Sequence, residues 1–454
     1  MPRSFATLLV IGVLLFAVKV GHVAAEGSAV YTHARQAIGL TAGDRAGAIA
    51  WLVENGGPGA IAPLVQILRF VPAARYALVV DGLAKLAGER AGDDWFDWMI
   101  WQQAHPEIAP DPSYGLFLAD VLQAINPDFL SFLTADSPHT IRLEEIAWGG
   151  VVPDGIPALD HPTMIAADAA SYLNPDDQVF GVELNGEERA YPLRIVNWHE
   201  MVNDVVGGVP VSLAYCTLCG AGILFDGRVS GREQPLTFGT SGLLYRSNKL
   251  MYDRDTRSLW NQFTGRPAIG PLVGSGVVLT VLPLVTTSWQ EWYRRHPNTT
   301  VLALDTGFVR DYGPGVAYRD YFASPKLMFP ALVPDGRLKP KDRVFGLRVP
   351  GGSMAWPLSR FSGGAVVNDS VGLLDLVIVG EADGSGARAY ESGGRRFIAG
   401  ADHDHLIAGD ETWLATEAAL LGPAGQSLPR LPGHLAYWFA WTGYFADAPL
   451  GGSP

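Results

Sequence analysis

The chain has 454 residues, room for about three domain-sized units of roughly 150 residues each. With 48% hydrophobic and 17% charged residues it is too apolar to be disordered, and its 53 Gly and 32 Pro show no triplet period, so it is turn-rich and globular, not collagenous. The formal net charge of −13 carries no clustered Lys/Arg, which excludes a phosphate-backbone footprint and with it a nucleic-acid partner.

The first 25 residues combine Arg3, an apolar run from Phe5 to Val18, and the small residues Val23, Ala24 and Ala25 before Glu26. That pattern reads as a secretory signal peptide over residues 1–25 and predicts an extracytoplasmic protein, periplasmic or secreted. The run is short of the roughly 20 residues that span a bilayer, so membrane contact is expected only if the segment stays uncleaved. From residue 26 to 140 the apolar spacing is helical, with segments Ala46 to Glu54, Ala60 to Phe70, Tyr76 to Ala87, Asp93 to His105 and Tyr114 to Ile125. Trp95, Phe96, Trp98, Met99 and Trp101 make one of these helices apolar nearly all round, which predicts burial in a core.

After about residue 141 the texture changes to short β-branched runs between Gly, Pro and Asp clusters, such as Gln178 to Leu184, Val209 to Tyr215 and Val277 to Leu282. Within this region the segment Asp177 to Gly207 recurs without a gap as Asp342 to Gly372, with 13 identities in 31 positions. The predicted fold class is therefore α+β: a helical N-terminal domain, then a β-rich region of two internally repeated halves, 141–325 and 326–454. Both copies keep turn material, including Asn203 and Asn368, which are expected in equivalent turns bonded to backbone. His199, Cys216 and Cys219 become Gly364, Glu381 and Gly384, so the chemically capable groups sit in the first half.

The only two cysteines are Cys216 and Cys219. A disulfide between them closes so short a loop that it would contribute only about 2 kcal/mol in the chain-entropy model, which favours chemistry over stapling. The strand-turn-strand setting of Cys-Thr-Leu-Cys-Gly suits two thiolates on one soft metal ion, copper or zinc. More ligands are then needed, and His199 is the first candidate with His296 the second. His199 is expected beside Cys216, either joining the metal or lowering the thiol pKa as a cation. The run from Thr237 to Trp260 concentrates hydroxyls and charge; Ser241, Asp253, Arg254 and Trp260, with Glu200 and Tyr215, are expected to line a polar pocket, the plainer alternative being a hairpin with a buried Asp253–Arg254 pair. Neither a nucleophile elbow nor a Walker loop is present, so hydrolase and nucleotide-binding readings lack support.

Several of these stretches together resemble a known family: Arg189-Ala190-Tyr191-Pro192-Leu193-Arg194, Trp198-His199-Glu200-x-Val202-Asn203-Asp204, Tyr215-Cys216-x-x-Cys219-Gly220, Thr237-Phe238-Gly239-x-Ser241-Gly242, Met251-Tyr252-Asp253-Arg254 and Trp289-x-x-Trp292-x-x-x-His296-Pro297. In this order they resemble the bacterial domain of unknown function family numbered 3179, from about residue 149 to 321 with a fainter echo to the C-terminus. The resemblance implies an exported bacterial protein without an assigned activity. Three readings of the residues follow: a soft-metal binder through Cys216, Cys219 and His199; a thiol-disulfide oxidoreductase with Cys216 as nucleophile and Cys219 as resolving thiol; and a structural or assembly factor in which the pair is a local disulfide. The partner is a protein or a small molecule that the sequence does not specify.

Overall fold

The computed structural model describes residues 27–334 and 336–452. The expected signal peptide over residues 1–25 lies outside the described residues. No helix among the described residues is long and apolar enough to cross a membrane.

Helices Ala29–Ile38, Arg45–Asn55, Ile61–Phe70, Tyr76–Ala87, Trp95–Ala104 and Tyr114–Ile125 open the chain. Three start on side-chain caps: Ser28, Asp44 and Asp94 each accept from a backbone N–H of the first turn, which satisfies donors that the helix itself leaves free. In the aromatic helix Trp98, Met99 and Trp101 are buried, as expected of core packing. Phe117, Leu118 and Leu122 of the last helix share one core with Leu243, Leu250, Tyr252 and Ile269 of the region beyond. The helices thus cover one face of a sheet made of Ile146–Trp148, Phe238–Tyr245, Asn248–Asp253, Leu259–Asn261 and Arg266–Ile269.

A helical N-terminal region followed by a β-rich one is the observed architecture, and the β-rich part contains several further sheets. One joins Met201–Val206, Val209–Cys216 and Ala221–Asp226 in antiparallel order. Of the expected strand Val277 to Leu282 only Val281–Leu282 pairs, against Ala221–Asp226; the residues before it follow the turn glycines Gly274 and Gly276, both at positive φ.

The segments at the 165-residue offset carry the same succession of elements. Gln178–Leu184 forms a hairpin with Glu187–Pro192, and Arg343–Val349 forms one with Gly352–Pro357. A short helical turn follows each, then the strands Met201–Val206 and Val366–Val371. Each leading strand takes its other neighbour from far along the chain, Val285–Ser288 in one case and His434–Tyr437 in the other. A helix leaves each of those neighbours, and its N–H bonds back to the carbonyl of Asp177 or Asp342. Trp292 then lies over Gly181 and Trp441 over Gly346.

Asn203 and Asn368 do bond to backbone, but from within strands and not in turns. Each side chain pairs with both the N–H and the carbonyl of one residue on a neighbouring segment, Phe238 or Phe397. The amide imitates a missing strand partner there, which an Asx turn residue bonding locally does not do.

Where the region before residue 325 meets the region after it, five titratable side chains are packed together. Glu417 is buried between Arg388 and Arg430, accepting from each at 2.7 Å, with His296 Nε2 at 3.5 Å. Arg388 also pairs with Glu381. Burial pushes the Glu417 pKa up, but Arg388 and Arg430 outweigh it and hold the carboxyl well below its ordinary value of 4.5.

Two predictions follow from this packing. A Cβ at Gly181 or Gly346 would approach the facing indole to 2.2 Å, so G181A and G346A should each cost about 1–3 kcal/mol through overpacking, read by chemical denaturation. Glu417→Gln leaves two buried guanidinium groups undercompensated and should cost about 3–5 kcal/mol. Because the folded Glu417 pKa is depressed, its contribution is complete above the unfolded value and is lost as pH falls through the lower folded one. The wild type should therefore lose stability below pH 4.5 more steeply than E417Q, when denaturation midpoints are compared across pH.

Candidate functional site

Strand Val209–Cys216 ends at Cys216, a 3-10 turn covers Thr217–Cys219, and Gly220 reverses the chain with φ 59° before strand Ala221–Asp226. That left-handed conformation favours glycine, and a side chain there would also press on the Tyr437 ring. Below the turn, Gln262 Nε2 donates to the carbonyls of Ala214 and Ala221, at 2.8 and 2.9 Å, and clamps the two strands together. Both thiols are free and buried, with Cys216 2% and Cys219 0% exposed.

The two sulfurs have different electrostatic surroundings. Burial raises the Cys216 pKa, but the Cys219 S–H, the Lys249 backbone N–H and the Lys249 charge outweigh it, and the net direction is down. Glu200 opposes that stabilisation. Cys219 goes the other way: burial and the neighbouring Cys216 push its pKa well up. Its single S–H lies between the Cys216 sulfur and the Ser247 carbonyl, at 3.5 Å from the latter, while Asn248 Nδ2 donates to the Cys219 sulfur at 3.2 Å. The arrangement favours the thiolate at Cys216 over the thiolate at Cys219.

Lys249 adds its positive charge to the effect of the Cys219 S–H in lowering the Cys216 pKa. Its ammonium is buried, donates to the carbonyls of Glu200 and Tyr215 at 3.1 and 3.3 Å, and lies 3.3 Å from the Glu200 carboxylate. Glu200 itself sits at φ 58°, a conformation that costs a non-glycine residue energy and places its carboxylate at the strand end. Arg246 and Ser247, at φ 51° and 61°, form the tight turn between the strands that supply Ser241 and Lys249, and Arg246 is held there by Glu145 and the Gly443 carbonyl. Lys249, Asn248 and Gln262 were not singled out from the sequence. The available signal was a lysine inside an otherwise strand-forming run, Asn248 to Asp253.

The expected site residues divide accordingly. Cys216, Cys219 and Glu200 come together, and Tyr215 contributes its carbonyl to Lys249 while its buried ring packs edge-on to Phe180. Ser241 lines a small hollow beside Glu200 and Lys249, but its hydroxyl is already bonded to the Leu250 carbonyl and the Leu243 N–H. Asp253 is a cap, accepting from Thr256 and from Trp260 Nε1. The alternative of a buried Asp253–Arg254 pair does not form, because successive strand residues face opposite ways and Arg254 reaches Asp160 at 2.8 Å.

The expected union of His199 with the thiols does not form either. His199 Nδ1 meets the Pro157 carbonyl at 2.8 Å and Nε2 meets the Tyr312 hydroxyl at 2.6 Å, so both ring nitrogens are engaged elsewhere. Burial lowers its pKa, which favours the neutral ring over the cation expected to activate Cys216. His296 belongs to the ionic cluster, with Nδ1 2.9 Å from Glu188. Among the described residues no group of three or more His, Cys, Asp or Glu side chains is arranged to hold a metal ion. His199 lies in the turn between the helix Leu193–Val196 and the strand Met201–Val206, and it is the Glu200 carbonyl that bonds to the thiol strand, accepting from the Tyr215 N–H.

Comparison with known proteins places this site inside a described family. A family model described as "Protein of unknown function (DUF3179)" matches residues 153–448, which takes in the cysteine turn, Lys249 and both segments of the 165-residue offset and leaves out the helical region. No curated protein and no solved structure matches the chain. With the match covering well over half of its length, the chain belongs to the DUF3179 family of proteins of unknown function.

Proposed function

We propose that this is an exported protein whose first β-rich half carries a buried redox-active dithiol, with Cys216 as the attacking sulfur and Cys219 as the resolving one. The observation that carries the reading is the unequal setting of the two buried sulfurs. Asn248 donates to Cys219, whose S–H lies toward the Ser247 carbonyl, and the buried Lys249 ammonium sits on the Tyr215 and Glu200 carbonyls at the Cys216 strand end. The Cys216 pKa is thereby pushed down and the Cys219 pKa well up. Nucleophilic attack needs a thiolate. A structural metal site would need both thiols deprotonated and further ligands.

In the proposed reaction the Cys216 thiolate attacks one sulfur of a small-molecule disulfide, forms a mixed disulfide and expels the first thiolate. Cys219 gives up its proton and attacks the Cys216 sulfur, and the second thiol leaves. The protein is oxidised from dithiol to disulfide, and one external disulfide is reduced to two thiols. Burial of both sulfurs restricts the partner to something much smaller than a folded protein. The matched succession of elements at the 165-residue offset supports reading the β-rich region as a duplication whose second half lost the thiols: Glu381 stands where Cys216 does and is locked to Arg388.

A second reading keeps one observation in its favour, since two adjacent buried sulfurs suit a low-coordinate soft ion such as Cu(I). Elemental analysis with a thiol count separates the two. Metal-free protein with two thiols that a glutathione buffer converts to an internal disulfide supports the redox reading. Copper or zinc near one equivalent with both thiols protected supports the soft-metal one, and a disulfide that resists reduction supports the structural one.

Two variants sharpen the test. Cys219→Ser should accumulate a stable mixed disulfide on Cys216, seen by intact mass, whereas Cys216→Ser should accumulate none. Lys249→Met should raise the Cys216 pKa and slow mixed-disulfide formation at neutral pH, by about threefold for each unit that the pKa lies further above the working pH, since a more basic thiolate is also a better nucleophile. Adding Glu200→Gln should recover part of that loss, because it removes the charge that opposes the thiolate.

A further inference from the structure

Next to the cysteine turn lies a cavity of about 330 Å³, within the size range of small-ligand sites. Tyr215, just before Cys216, and Gly220, just after Cys219, form part of its wall. Arg343 and Tyr437 come from the second half, and Gly313 to Ala317 with Phe322 come from the connecting segment. The glycine-bearing wall is held at its start by Tyr312, whose hydroxyl is bonded to His199 Nε2 and to Thr306 Oγ1, both at 2.6 Å. That bond gives His199 a position in the fold distinct from the thiols.

The charges on the wall do not cancel. Arg194 is paired with Asp177 at 2.5 Å and donates to the Tyr172 carbonyl at 2.6 Å. The Arg343 side chain has no hydrogen bond or ion pair among the described residues, and burial lowers its pKa. In a protein with 13 more acids than bases, a desolvated guanidinium left without a counter-charge is costly. Most of the remaining surface is apolar or aromatic, from Phe180, Leu193, Val316 and Phe322. One further polar group is unsatisfied: Asn197 lines the cavity, and its side-chain oxygen is buried without a partner.

We infer that this cavity binds a small organic carboxylate, its anionic end on Arg343, its apolar body against Phe180 and Phe322, and a hydroxyl donating to Asn197. A planar guanidinium matches a carboxylate with two parallel hydrogen bonds. A single unpaired cation suits one negative charge better than a phosphate dianion. The inference goes beyond the dithiol reading and does not require it, because no contact it uses involves either sulfur.

Thermal shift and isothermal titration on the full chain test it, with benzoate and 3-phenyllactate as probes and with benzamide and inorganic phosphate as comparisons. Both carboxylates should raise the melting temperature saturably, phenyllactate more than benzoate, and benzamide should not. Arg343→Gln should weaken carboxylate binding by at least tenfold, and Arg343→Lys should weaken it less. Asn197→Ala should remove the preference for phenyllactate while leaving benzoate binding unchanged. The Cys216→Ser, Cys219→Ser double variant should bind as the wild type does, so a failure here is separate from a failure of the thiol chemistry. Equal binding of benzamide, retention of binding in Arg343→Gln, Arg343-dependent binding of phosphate in preference to carboxylate, or no binding by any carboxylate at millimolar concentration would each overturn the inference. If Arg343→Gln does not fold, the benzamide comparison on the wild type and the Asn197→Ala result decide it.

Discussion

A chain of buried amides sets the geometry on which the site depends. Gln262 clamps the carbonyls of Ala214 and Ala221, Asn248 donates to Gln262 at 3.0 Å and to the Cys219 sulfur at 3.2 Å, and Tyr444 reaches Asn248 and the Tyr245 carbonyl. Gln262 and Asn248 are buried and Tyr444 is half-buried, so the amide bonds are worth more than in water and a broken one would leave a polar group stranded. The chain begins at the C-terminal end of the β-rich region and ends on a sulfur. The distance between the two strands at the cysteine turn is therefore set by side chains remote from it in sequence.

Electrostatics then divides two chemically identical thiols. Burial by itself would keep both protonated. The Cys219 S–H, with the Lys249 N–H and charge behind it, reverses that for Cys216, and the Lys249 ammonium is itself satisfied by two carbonyls and the Glu200 carboxylate. Glu200 has opposing effects: it neutralises the lysine that favours the thiolate, and it repels the thiolate directly. A site balanced in this way responds to small changes in either charge. At the offset position in the second half the balance is of another kind, with Glu381 and Arg388 joined to the Glu417 cluster and no thiol present.

The same physical rule, that a buried charge must be matched, distinguishes the two arginine environments beside the cavity. Arg194 is matched by Asp177 and serves the fold. Arg343 is not matched, and its strand, paired with His434–Tyr437, brings it to the wall of the cavity that Tyr215 and Gly220 also line. The cavity lies where Arg343 and Tyr437 meet Phe180, Tyr215 and Gly220.

How much of this was legible in sequence follows from the range of each interaction. Local signals were reliable: the helical segments, the strand leading to Cys216, the turn that carries both cysteines and the matched motifs of the family are all set by neighbours a few residues apart. The pairing of Cys216 with Cys219 and the place of Glu200 near them were also legible, because one turn and one strand connection bring them together. What sequence could not show was which way side chains face after a bend. His199 turns to Pro157 and Tyr312, 42 and 113 residues away, while Lys249, 33 residues beyond Cys216, arrives from another sheet. His296 joins Glu417 across 121 positions. Sequence determined which residues are chemically capable and the local turns that carry them; tertiary packing decided which of them meet, because burial assigns each charge the partner that the surrounding strands bring within hydrogen-bond reach, whatever the distance along the chain.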